Sequence, residues 1–192
     1  MVKGRPFWAL RVLLIAGALV VVSIGGYSGV LVATGNVHSV VDGVLYRSAQ
    51  LSKPQFDNVI RGYGIRSILN LRGGHPADAW YADEIAAAEE RGVAHFDLPI
   101  SARRRPSLDQ VAEILRLIRD APKPLLIHCR SGADRSGLVA ALFLFDVEHA
   151  GAATADRQLS LRFGHFPYLF SKTGAMDESF WDFVHDESAS GR

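Results

Sequence analysis

The sequence predicts an α/β protein: a mostly parallel central sheet flanked by helices, preceded by one transmembrane helix. Three observations carry this. Short apolar runs alternate with amphipathic ones along residues 38–186, the pattern of strands that cross over through helices to parallel neighbours. A Gly-containing stretch, residues 128–137, lies between an apolar run at 124–127 and a helical one at 138–145. Finally, residues 12–37 are 26 positions without Asp, Glu, Lys, Arg or His, more than the ~20 that a bilayer-crossing helix needs.

The elements follow in order. The apolar segment comes first, with Lys3, Arg5 and Arg11 before it and Arg47 as the next permanently charged cation. The positive-inside rule puts the N-terminus in the cytoplasm and the rest on the outer, periplasmic side. A cleaved signal peptide is the first alternative, although the apolar stretch exceeds the usual 7–15-residue core and no clean small-x-small site stands out near Ala33. A buried helix is the other, which Gly17, Gly25, Gly26 and Gly29 and the lack of a polar face oppose. The expected organisation is a basic cytoplasmic tail at 1–11, a signal anchor at 12–34, one domain at 38–186 and a disordered tail at 187–192. Gly25 and Gly29 form a small-xxx-small pair, a weak pattern for helix dimerisation.

Beyond the anchor, 44–47 reads as a strand and 54–61 as a helix stopped by Gly62 and Gly64. Strands at 66–71 and 93–98 enclose an Ala/Glu-rich helix at 78–91. Ser107-Leu108-Asp109-Gln110 is a capping box opening a helix with Leu108, Val111, Ala112, Leu115 and Ile118 on one face. A strand at 125–127 feeds the Gly-containing stretch, and helices follow at 137–145, 152–162 and 176–184. No repeat or second domain is visible. The chain carries 21 Lys and Arg against 20 Asp and Glu. Without the three N-terminal cations the remainder is near neutral, which offers no general field for nucleic acid.

Chemistry concentrates in His128-Cys129-Arg130-Ser131-Gly132-Ala133-Asp134-Arg135-Ser136-Gly137, which holds the single cysteine. A strand, a tight loop and a helix N-terminus aim backbone N–H groups at an anion. Those groups, the helix dipole and Arg135 would hold Cys129 as thiolate, and the same cradle would bind a phosphate dianion. A buried structural cysteine is the bland alternative. One cysteine also leaves no partner for an internal disulfide, which suits an oxidising compartment and the cytoplasm equally.

Cys, five residues, then Arg-Ser-Gly resembles the phosphate-binding loop of cysteine-dependent phosphatases, the protein tyrosine and dual-specificity group. The resemblance covers about residues 38–186, but only the 128–137 loop is specific. It implies attack by Cys129 on phosphorus and hydrolysis of a phosphocysteine. Arg130, Ser131, Gly132, Ala133, Asp134 and Arg135 would line the phosphate, Arg135 would grip two phosphoryl oxygens, and Ser136 would help the thiolate leave. The family supplies a general acid from an upstream Asp. Asp97 lies 32 residues before Cys129 but inside a strand, and the following loop, 100–106, has no carboxylate. Asp134 is the second candidate, because Gly-x-Asp-Arg resembles myotubularin-type and some bacterial lipid-active members; neither Asp is the third possibility.

Further candidates border this loop. Arg47 and Arg72, at strand ends, resemble pocket-flanking residues of bacterial dual-specificity-like phosphatases, with a structural or surface role as the alternative that the sequence alone favours for each. Arg103, with Arg104 and Arg105, forms a cationic cluster, for which a solvated basic loop is the plain alternative. His165 could line the site or pack beside its aromatic neighbours, and His128 is expected to orient the loop through backbone hydrogen bonds. No metal ligand set or cofactor motif is present. The expected substrate is a phosphorylated lipid or glycolipid headgroup, with a phosphoprotein, including phosphotyrosine, as runner-up and a catalytically dead phosphate-binding module as the reading of another class.

Overall fold

A five-stranded sheet in the order β1-β2-β5-β3-β4 organises the domain, seen in a computed structural model that describes residues 7–168 and 171–189. The strands are β1 (His38–Val41), β2 (Leu45–Ser48), β3 (Ser67–Asn70), β4 (Ala94–Asp97) and β5 (Leu125–His128). β2, β5, β3 and β4 are mutually parallel, while β1 runs antiparallel on the edge beside β2. β1 was not expected from the sequence.

Side-chain alternation along the strands divides the core between the two faces of the sheet. Tyr46, Ile68 and Leu126 pack with Phe56, Ile60 and Ala87, from α2 (Lys53–Tyr63) and α3 (Ala79–Arg91). Leu45, Leu69 and Ile127 pack on the other face with Ile118, Leu138 and Phe180. Those come from α4 (Leu108–Asp120), α5 (Asp134–Leu142) and α7 (Ala175–Ala189). Both faces are therefore covered, as a parallel sheet requires.

Local signals act as read. Ser107 Oγ accepts from Gln110 N at 3.2 Å, and Gln110 Oε1 accepts from Ser107 N at 3.0 Å, closing the capping box of α4. Its buried face is Ile114, Leu117 and Ile118, so of the expected stripe only Ile118 is fully buried: Val111 and Leu115 are half-buried, and Ala112 and Leu108 are exposed, Leu108 at 83%. α5 starts at Asp134, three residues earlier than the sequence pattern placed it, and passes into a π-helical turn at Phe143–Val147. The helix expected over 152–162 stops early: α6 is Ala152–Asp156, followed by a 3-10 turn at Leu161–Phe163. The freed segment instead delivers Gln158 and Phe163 to Arg47.

The apolar helix, α1, spans Phe7–Ala33 and is long and apolar enough to cross a membrane. It therefore begins inside the segment read as a basic tail and includes Arg11; residues 1–6 lie outside the described residues. Of the segment 187–192 expected to be a disordered tail, residues 187–189 are helical, because α7 continues to Ala189, and residues 190–192 lie outside the described residues.

Candidate active site

The four parallel strands end together, and the loop from Cys129 to Ala133 caps β5 between β2 and β3. Register places Ser48, His128, Asn70 and Asp97 side by side at that end, where open parallel sheets bind ligands. Cys129 is 1% exposed. Burial pushes its thiol up, but the Arg135 guanidinium, the Ser136 hydroxyl and the backbone N–H groups of Ser136 and Ser131 pull it down, and the net direction is downward.

Arg135 lies in the first turn of α5. Its Nη1 donates to Leu71 O at 3.0 Å and more weakly to Ile100 O at 3.4 Å. Its Nε and the Ser136 hydroxyl are buried without a hydrogen-bond partner among the described residues. The Arg135 Nε is thus unspent and available to an oxyanion, while the Ser136 hydroxyl acts on the Cys129 thiol, which it pulls down. Two glycines permit this packing. Gly132 sits at φ +73°, where a Cβ would stand 2.7 Å from Ala49 N. A Cβ on Gly137 would stand 2.8 Å from Leu159 Cδ2 and 2.9 Å from Gln158 O.

Arg47 does not border the pocket. It is fully buried, with Nη1 donating to Gln158 O and Oε1 and Nη2 donating to Gly132 O at 2.7 Å and Ala133 O at 2.9 Å. Burial lowers its pKa to about 9, partly offset by Cys129 and Asp134. It is a brace behind the loop, because a guanidinium's several donors suit clustered carbonyls. His165 is likewise withdrawn from any ligand. Its Nδ1 bonds Asp134 Oδ1 at 2.7 Å and its Nε2 bonds Asp177 Oδ2 at 2.9 Å, with the ring fully buried. Burial lowers its pKa, but the two carboxylates outweigh that and raise it to about 9. An imidazolium donating from both nitrogens thus ties the start of α5 to α7.

His128 bonds a carboxylate rather than the backbone: its Nε2 meets Glu84 Oε1 at 2.8 Å. Glu84 of α3 is completely buried and also bonds His95 Nε2 and Gln50 Nε2, each at 2.8 Å. Burial would raise its pKa, yet His128, His95 and Gln50 bring it down to about 2. The sequence reading missed Glu84, since a Glu in an Ala/Glu-rich helix looks like one more solvated charge. The signal was its position on the face that also carries Ala87 and Ala88.

Arg72 does reach the site. Its Nη1 donates to Gln50 Oε1 at 2.8 Å and its guanidinium lies 3.4 Å over the Trp80 ring. Burial, then Arg135 and Arg130, lower its pKa, so three cations share this corner; Arg130 is exposed. Arg103 lies in an exposed turn with no side-chain partner among the described residues. Arg105 is paired with Glu178 and Asp182. Arg104 instead lines, with Ser101, Ser107 and Gln110, a cleft of about 540 Å³ that shares Ile100 with the Arg135 tether.

Both candidate acids already accept hydrogen bonds. Asp97 Oδ1 accepts from Asn70 Nδ2 at 2.8 Å and its Oδ2 bonds the Tyr81 hydroxyl, a bond that heads the causes raising Tyr81 to about 12. Asp134 accepts from His165.

The comparisons agree with this geometry. A family model described as "DSP-PTPase phosphatase fused to NAD+ Kinase" matches residues 32–165. No curated protein matches. The core catalytic domain of the PP-IP phosphatase SIW14 from S. cerevisiae is 18% identical with a TM-score of 0.60, over 81% of this chain and 92% of that one. P. aeruginosa TpbA is 20% identical with a TM-score of 0.59, over 82% and 92%. PTPMT1 is 14% identical with a TM-score of 0.59, over 80% and 99%. At these identities the structures establish the shared fold, while the family model reaches across β1 to β5 and the whole phosphate loop, and on that footing the chain belongs to the dual-specificity/protein tyrosine phosphatase family as a cysteine-dependent phosphatase.

Proposed function

We propose that the chain is a single-pass membrane phosphatase whose catalytic domain faces away from the cytoplasm and removes phosphate from a lipid or glycolipid headgroup at the bilayer surface. The observation that carries this reading is the antiparallel edge strand. Because β1 runs against β2, the end of α1 lies at the catalytic end of the sheet, and Leu31 sits 3.3 Å from where a Cβ on Gly164 would stand and near Ala133. Trp8 and Tyr27 are exposed and separated by about 28 Å of helix at 1.5 Å per residue, close to the ~30 Å hydrocarbon thickness. Aromatic side chains favour the two interfaces. Tyr27 donates its hydroxyl to Arg162 O at 2.7 Å, so the outer interface adjoins the domain. The basic N-terminal residues support this orientation, and the uncovered face at Gly25 and Gly29 leaves room for a second anchor helix.

Arg135 and the loop N–H groups hold the phosphoryl group while Cys129 attacks phosphorus and the P–O bond to the headgroup breaks. Water then hydrolyses the phosphocysteine, with Ser136 supporting the departing thiolate. Asp97 accepts at both carboxylate oxygens and Asp134 at Oδ1, which favours a leaving oxygen that needs little protonation. An anomeric sugar oxygen or a second phosphate, each a weaker base than a simple alkoxide, fits best. Arg72 and Arg130 are placed to meet further negative charge. A phosphoprotein is the competing substrate: TpbA with its cysteine replaced has been captured with phosphotyrosine in this fold.

The test is phosphate release by the full chain and its Cys129→Ser variant in lipid nanodiscs. The panel holds a glycolipid phosphate, a lipid diphosphate, a phosphotyrosine peptide and a small aryl phosphate. Cys129-dependent turnover of either lipid well above the peptide supports the reading; turnover of the peptide alone overturns it.

A further inference from the structure

We infer that Asn36, the third residue beyond α1, is a positioning residue for phosphate binding, so that the chain leaving the anchor forms part of the wall of the phosphate loop. Asn36 is 2% exposed and sits at φ 45°, a left-handed conformation that Asn tolerates better than most residues. Its Nδ2 donates to Ser131 O at 2.8 Å and to Phe163 O at 2.9 Å. Both partners are pure acceptors, which fixes which end of the amide is nitrogen. Oδ1 then accepts from His38 Nε2 at 2.9 Å.

The consequence follows from peptide geometry. The C=O and N–H of a trans peptide unit point in opposite directions. Asn36 holds the carbonyl of Ser131 outward, and Arg47 holds those of Gly132 and Ala133. The N–H groups of Gly132, Ala133 and Asp134 are thereby turned the other way, into the concavity that receives an anion. Arg130 O and His128 O are held by Gln50 N and Leu71 N, both from the domain's interior. Asn36 is the contribution from the anchor's exit. Its neighbour Gly35 is also fixed, its carbonyl accepting from Ala49 N at 2.8 Å, and Ala49 packs on Gly132. The end of α1, β2 and the phosphate loop therefore form one continuous contact.

The test uses the full chain in detergent, with orthovanadate as the oxyanion probe. Asn36→Asp replaces the donor by an acceptor facing two carbonyls, and Asn36→Ala removes the side chain. Gln55→Ala is the control, since Gln55 bonds the end of α1 at Ala33 O and caps α2 through Ser52, but makes no hydrogen bond to the phosphate loop among the described residues. The readouts are the vanadate inhibition constant and KM for an aryl phosphate, neither of which depends on what fraction of the protein is folded. We expect both to rise about tenfold in the Asn36 variants, more for Asp than for Ala, with Gln55→Ala unchanged. Asn36→Ser, which keeps one shorter donor, falls between. A loss of active fraction in the Asn36 variants with the inhibition constant and KM unaltered would reduce Asn36 to a folding contact and overturn the inference.

Discussion

Replacing His165 by Asn removes a buried cation from between Asp134 and Asp177, and the structure specifies how the cost varies with pH. The ring is fully buried and its pKa rises from 6.5 to about 9 in the folded protein. A shift of about 2.5 units at 1.36 kcal/mol each is about 3 kcal/mol of stability linked to holding the proton. The carboxylates are partly exposed, at 20% and 30%, which brings the expected figure nearer 2 kcal/mol. A group whose pKa is raised on folding stabilises most below its unfolded pKa, and the gain is lost as pH climbs through the folded one. The wild type should therefore exceed His165→Asn by about 2–3 kcal/mol at pH 6 or below. The gap should close between about pH 6.5 and 9. Thermal unfolding of both proteins in the same detergent, from pH 5 to 10, measures this directly. A gap that stays constant with pH would mean that His165 contributes packing alone and is not protonated between its carboxylates.

Three other expectations follow from the same site. Glu84→Gln should destabilise by about 3 kcal/mol at neutral pH, since His128, His95 and Gln50 outweigh burial and bring Glu84 down to about 2 from 4.5, at 1.36 kcal/mol per unit. Its contribution is present above about pH 4.5 and fades as pH falls towards 2, so the two proteins' urea midpoints should converge in acid. Arg47→Met removes the side-chain donors of the Gly132 carbonyl and the Gln158 groups, at about 1–3 kcal/mol each, and leaves the Ala133 carbonyl only its bond from Gly137 N. It should unfold early and raise KM in whatever remains folded; a KM equal to the wild type's would contradict the brace. For Asp97→Asn, the slope of log kcat against leaving-group pKa over a series of aryl phosphates should match the wild type's. A steeper slope would instead identify Asp97 as the proton donor.

The phosphate loop was legible because each of its residues does its work locally. Cys129, Arg135 and Gly137 lie within nine positions, and a strand before and a helix after suffice to orient them. The parallel sheet was legible for a similar reason, as strand and helix periodicities alternate along the chain. What was hidden is what the sheet brings together from afar. Arg47 lies 111 residues from Gln158 and Glu84 lies 44 from His128. Nothing in the residues around either one distinguishes a buried, hydrogen-bonded charge from a solvated one. The sequence therefore leaves Arg47 open between a pocket-bordering and a structural role, which burial behind the loop decides for the second, and it does not single out Glu84.

β1 is the case where a small omission had the largest effect. Four residues of modest hydropathy beside a turn, His38–Val41, give too short a pattern to separate from a linker. Without it, the anchor would join the domain through a free tether, and the site could face anywhere within its reach. With it, the chain turns once at the sheet's edge, and the end of α1 and the phosphate loop are held at the same end of the sheet. A tether raises the local concentration of any membrane-borne substrate, and on the membrane reading proposed above a docked anchor would also select for depth. Phosphate close to the acyl chains would then reach Cys129, whereas a phosphorylated side chain on a distant protein loop would first have to find its way beneath the domain. Lengthening the connection between Asn36 and His38 by a flexible Gly-Ser insert should therefore lower turnover of a lipid phosphate more than that of a soluble aryl phosphate. An equal effect on both would show that the anchor's position is immaterial to substrate choice.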